Sequence, residues 1–226
     1  MAITIPALES ELWLHISQGD GMHCPFDSDC HIRESGSWCP SDNLEQINLL
    51  LENKRAGLES CDFIQYGACG RLFKIVEMLA NECLELGNIR YPPVPTELIS
   101  IFDKQNNIEV HTLPLKTCHG AIWYIDNSWV IQVRASDTPA MKRFVLFHEA
   151  FHVLAHLKST PVFNKRGVLR GSFNELLADH FAMSILLPER WVRQKWMEDN
   201  DFQRMVKIFD VPRPLMCIRI RRLGLA

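Results

Sequence analysis

The sequence predicts an α+β fold: a small sheet beside longer helices, preceded by a cysteine-bearing helical extension. Three observations lead there. Residues 108–133 read as short strands broken by an Asp126-Asn127 turn. Residues 139–158 and 172–187 are longer, follow a helical period and hold no internal Gly or Pro. Five of the eight cysteines fall between residues 24 and 69, before the strands begin. Between the two parts runs a stiff connector, Tyr91-Pro92-Pro93-Val94-Pro95, which divides the chain into 1–92 and 93–226. At 226 residues there is room for one domain of usual size plus a smaller one, and 47% hydrophobic residues can fill a core. A net charge of -3 gives no global pull toward nucleic acid. No run approaches the roughly 18 apolar residues of a membrane span. Met1 to Pro6 lacks the basic segment and apolar run of a secretory signal. The expected setting is therefore the cytoplasm, with no membrane partner.

In the first part, Cys24, Cys30, Cys39, Cys61 and Cys69 cluster, with His23 and His31 beside the first two. Without a secretory context, such a cluster points to metal more readily than to disulfides. Thiolates suit a second zinc or an iron–sulfur cluster. No Cys-x-x-Cys pair is present, so buried unligated thiols and redox-active pairs stay as alternatives. Residues 41–58 and 70–86 read as amphipathic helices, the second with Leu72, Phe73, Val76, Leu79 and Cys83 on one face. Cys83, Cys118 and Cys217 stand alone and read as core residues.

After the connector, residues 96–104 read as a short helix and 108–113, 120–125 and 128–133 as strands, the last two forming a hairpin. The free edge of such a sheet can hold an extended peptide. Trp123 and Trp129 read as core or groove lining. The next helix starts at Thr138-Pro139, a capping hydroxyl followed by a proline tolerated in the first turn. Met141, Phe144, Val145, Phe151 and Leu154 then recur at helical spacing.

That helix contains His148-Glu149-Ala150-Phe151-His152, an H-E-x-x-H pattern. Residues four apart share a helix face, so both imidazoles can reach one metal ion, and the Glu149 carboxylate beside them can take a proton from water there. The bland alternative is a core helix that happens to carry histidines. A third ligand is needed, and Glu175, 27 positions on, can supply it from a returning helix that ends before Pro188. Ser172 and Glu175 also fit a capping box, in which Glu175 would turn back to the Ser172 amide. Asp179, one turn after Glu175, can accept the N–H of a ligating imidazole. His156 and His180 could be extra ligands, but they read more readily as members of that outer layer or as packed residues. A metzincin pattern is excluded, because its extra Gly and His would fall at Ala155 and Lys158. The residue set predicts one catalytic zinc in a zincin-like peptidase domain.

Longer matches now carry a family resemblance. Arg143 to His152 is similar to the R-F-T-L-A-H-E-L-G-H of the ImmA/IrrE metallo-endopeptidases, and His156 falls where many members carry another histidine. Glu175, Ala178, Phe181, Ala182, Leu186, Leu187 and Pro188 match their E-x-x-A-x-x-F-A-x-x-L-L-x-P signature. Phe209-Asp210-Val211-Pro212, Arg219 and Leu223-Gly224-Leu225 resemble their ending, so the resemblance spans about 93–226. Phe151 and Phe147 stand where the family has Gly and a small residue, which predicts a narrowed site. The resemblance implies cleavage of a helix-turn-helix transcriptional repressor. Arg213, Arg219, Arg221 and Arg222 lie on two short helices over 201–224. We read these as a layer closing the domain with a solvated basic face, in preference to a DNA-binding hairpin. A different class competes: a metal- or redox-sensing regulator whose zinc site is structural or vestigial. Glu149 discriminates, because a structural site has no use for it. For the oxyanion, His180, Tyr124 and Arg143 are all candidates, none with a spacing argument behind it.

Overall fold

A computed structural model describes residues 67–103, 107–158 and 172–225. Cys24, Cys30, Cys39, Cys61 and the expected 41–58 helix lie outside the described residues. Cys69 falls in the first described helix, but its side chain lies outside them too.

The elements run α1 (Gly67–Leu86), a 3-10 turn (Thr96–Ile101), β1 (Ile108–Leu113), β2 (Gly120–Ile125), β3 (Ser128–Arg134), α2 (Pro139–Lys158), α3 (Ser172–Leu186), α4 (Glu189–Glu198), α5 (Phe202–Phe209) and α6 (Arg213–Arg222). The sheet has the order β1-β3-β2, with β3 antiparallel to β2 and parallel to β1. The hairpin closes on two residues, Asp126 at φ 47° and Asn127 at φ 62°. Both types tolerate the left-handed region, and two such residues give the turn whose twist matches a hairpin. Trp129, Ile131 and Val133 of β3 are buried in alternation, facing α2. Among the described residues the opposite face is open, and Trp123 and Ile125 stand half-exposed on it. Trp129 is thus core, with its indole N–H donated to Asp103 at 3.0 Å, whereas Trp123 is surface.

From the sheet outward the order is α2, then α3, then α1. Residues 144–155 of α2 and 181–186 of α3 are buried without a break, as helices packed on every side must be. This corrects the expectation for Phe147 and Phe151. Both are fully buried, and Phe151 packs on Phe181 at 5.4 Å between centroids, so they fill core and do not narrow the site. The core reaches α1 through Ile75, Val76, Leu79, Ala80, Cys83 and Leu84, so the helix before the proline connector shares it. Cys83 is core, with its thiol pushed up by burial, while Cys118 and Cys217 are only partly buried.

The chain closes with α4, α5 and α6. Asp201 caps α5, accepting from the amides of Gln203 at 2.8 Å and Arg204 at 3.3 Å. Asp210 ends α5 in the left-handed region at φ 49°, which turns the chain into α6. The helical layer is as expected, but its basic face is not solvated throughout. Arg219 is buried, donating to the Leu187 carbonyl at 2.9 Å and to Glu77 of α1 at 2.5 Å. Arg222 reaches His180 at 3.3 Å, and Arg213 bonds Gln203 at 2.5 Å over the Phe202 ring. The Arg219 and Arg222 guanidiniums are thus turned to internal partners, whereas Arg213 stays exposed.

Candidate metal centre

Two helices build the centre, each with two residues one turn apart. His148 and His152 project from α2, Glu175 and Asp179 from α3. The Nε2 atoms of the two histidines lie 3.3 Å apart. Glu175 Oε2 is 3.1 Å from His148 Nε2, and its Oε1 is 3.5 Å from His152 Nε2. A tetrahedral ion with bonds near 2.0–2.1 Å would separate its ligand atoms by about 3.3 Å, so the three edges fit zinc. A cation at their centre would be within bonding reach of all three ligand atoms at once. His148 and His152 are 3% and 6% exposed in their surroundings, but the Glu175 side chain is 29% exposed, which leaves an open side for substrate and water. Glu175 directs its oxygens at the histidines of α2, not along its own helix as a capping box would require.

Asp179 Oδ1 lies 2.8 Å from His148 Nδ1. That contact makes Nδ1 the protonated nitrogen and leaves the Nε2 lone pair for a metal. Asp179→Ala is expected to weaken zinc affinity by roughly 10–100-fold. A chelator competition giving unchanged affinity would reduce Asp179 to a surface acid.

The electrostatics follow from the same contacts. Burial by itself lowers the His148 pKa, but the bonds to Asp179 and Glu175 outweigh it and hold the imidazole well above its ordinary value. Burial pushes Glu175 up, and the facing histidines more than reverse this, leaving it well below the usual carboxylate range. In the metal-free protein a raised His148 pKa gives stability that is complete below about 6.5, the unfolded value, and is lost as pH rises through the folded one. A depressed Glu175 gives stability present above about 4.3 and lost as pH falls through its folded value. A metal needs the neutral imidazole, so proton and zinc compete. Zinc affinity should climb about tenfold per pH unit below the His148 pKa, with one proton released per ion. Calorimetric titration in buffers of different ionisation enthalpy reads that proton directly, and a flat profile would contradict the competition.

Three residues considered for the oxyanion have other engagements. His180 Nε2 donates to the Phe73 carbonyl at 3.0 Å, and its pKa is held well below the ordinary value by burial and by Arg222 and Arg219. Arg143 pairs with Asp210 at 2.7 Å and donates to the Val94 carbonyl at 3.3 Å. Tyr124 donates to Asn127 at 3.1 Å. The side chain of His156 lies outside the described residues. Sequence reasoning passed over a buried cluster at the sheet end nearest the start of α2. There His119 Nδ1 meets Asp137 Oδ2 at 2.5 Å, and Arg134 bonds the same carboxylate at 3.1 Å. It also passed over Gly120, whose backbone lies against Glu149.

A histidine pair and a facing carboxylate on two buried helices, flanked by a mixed sheet, define a metallopeptidase-like domain. The chain matches Peptidase_M78, the IrrE N-terminal-like domain, over residues 103–221, more than half its length, and it belongs to that family. No curated protein matches it. Among solved structures, a Mycobacterium tuberculosis transcriptional regulator is similar at 14% identity and TM-score 0.49, over 78% of this chain and 51% of that one. The chain thus spans about half the length of that regulator.

Proposed function

We propose that this protein is a zinc-dependent endopeptidase that cleaves a helix-turn-helix transcriptional repressor. The observation that carries the reading is the convergence of His148, His152 and Glu175 with ligand edges of 3.1–3.5 Å. Those three residues would hold the ion. Bound zinc supplies a Lewis acid that polarises a carbonyl and brings the pKa of water toward about 7. Glu149, buried beside the histidines, accepts the proton of the attacking water and passes it to the leaving amine. Asp179 keeps His148 in the ligating tautomer.

The sheet supplies the means to hold an extended peptide. Arg134 N–H donates to the His119 carbonyl at 2.8 Å, which makes residues 119 and 134 a hydrogen-bonded pair. Antiparallel pairs alternate, so the N–H and C=O groups of Gly120 and Ile122 point away from β3, where no described strand pairs with them. That edge starts beside Glu149. The repressor as substrate rests on family resemblance.

Incubating the zinc-loaded protein with the helix-turn-helix repressor encoded nearest its gene tests the reading. Intact-mass spectrometry should show two fragments summing to the repressor plus one water, lost with chelator and restored by zinc. An intact repressor with fully loaded protein would contradict it.

A further inference from the structure

Glu149 needs more than its place in the sequence. A glutamate has three side-chain torsions, and a base acts only when its carboxylate is held within reach of the proton it takes. The structure shows what stands against it. Gly120, the first residue of β2, comes so close to α2 that a Cβ built on it would lie 2.6 Å from Glu149 Oε1, and closer still to Val145 Cγ1. The φ angle of Gly120 is not positive, so the glycine answers to close approach and not to a turn.

Neither side can retreat cheaply. Val145 is completely buried and β-branched, so its rotamer is fixed on the helix. It lies one turn before Glu149 on the same face. Gly120 is held by its register opposite Val133 and by the bond from Arg134 N–H to the His119 carbonyl. Asp137, two residues before α2, ties His119 and Arg134 to the start of that helix. The strand end and the helix are thus clamped at a separation only glycine permits.

We propose that Gly120 is a positioning residue for Glu149: its bare Cα is the wall that sets where the carboxylate rests. The inference builds on Glu149 as the base, and it makes a separate statement about geometry. A methyl group at position 120 should displace the carboxylate while leaving His148, His152 and Glu175 where they are.

Gly120→Ala and the wild type should be compared by zinc affinity, crystal structure and hydrolysis of a quenched fluorescent peptide library. Expected are zinc affinity within about twofold of wild type, a Glu149 carboxylate moved by an ångström or so, and kcat down by roughly 10²-fold with KM little changed, since a 1 Å misplacement costs about that much. Glu149 in its original place with kcat within about threefold of wild type would overturn the proposal. Should Gly120→Ala not fold, Gly120→Ala with Val145→Ala removes the stiffer clash and keeps the one with Glu149. A moved carboxylate in that variant supports the proposal, and an unmoved one overturns it. If the wild type hydrolyses no peptide, the peptidase reading fails, while the position of Glu149 in the crystals still decides the role of Gly120.

Discussion

Glu149→Gln is expected to bind zinc as the wild type does and to cleave about 10²–10⁴-fold more slowly, the usual worth of a positioned general base. The amide matches the carboxylate in size but cannot accept a proton. His148, His152 and Glu175 are expected to keep their positions, because they hold one another at 3.1–3.5 Å and Asp179 holds His148 at 2.8 Å. Zinc content and cleavage rate must be measured on the same preparation. Loss of both would mean that Glu149 supports the centre structurally, and loss of neither would remove it from the chemistry.

Phe181→Ala should destabilise the protein by about 3–5 kcal/mol, the range for truncating a buried aromatic ring. Phe181 is fully buried on α3, with Phe151 of α2 at 5.4 Å and Phe102 at 5.9 Å between centroids. It is therefore the packing joint between the two helices that carry the metal-binding side chains. Urea unfolding of the metal-free protein reads the loss. A ligand that binds only the folded state adds about 2.7 kcal/mol at a hundredfold excess over its Kd, so saturating zinc should recover much of it. A loss under about 1 kcal/mol would show that the core closes over the gap.

The parts of this molecule that were legible in the sequence are those with local signals. Thr138-Pro139 announced α2, Asp126-Asn127 between two strand-like runs announced the hairpin, helix period paired His148 with His152 and Glu175 with Asp179, and the need for a third ligand joined the two pairs. What stayed hidden depends on distant partners. The parallel pairing of β1 with β3 sets the sheet order, and no residue within either strand specifies it. Arg219 looked like surface charge because its partner, Glu77, lies 142 positions earlier. Phe147 and Phe151 were misread as site residues because α2 is buried on all sides, so its apolar residues mark no single face. α4 buries only Val192 and was masked by Pro188, which reads equally as the end of α3 and the start of the next helix. Gly120 has no motif, and its meaning appears only when β2 meets α2.

The proposed peptidase needs one zinc between α2 and α3, held by two histidines and a carboxylate. A crystal of the zinc-loaded protein, with anomalous data collected on both sides of the zinc absorption edge, tests it most directly. Expected is a single strong peak about 2.0–2.2 Å from His148 Nε2, His152 Nε2 and a Glu175 oxygen. A fully loaded protein with no peak at that point, or with Glu175 folded back onto the amide of residue 172, would contradict it.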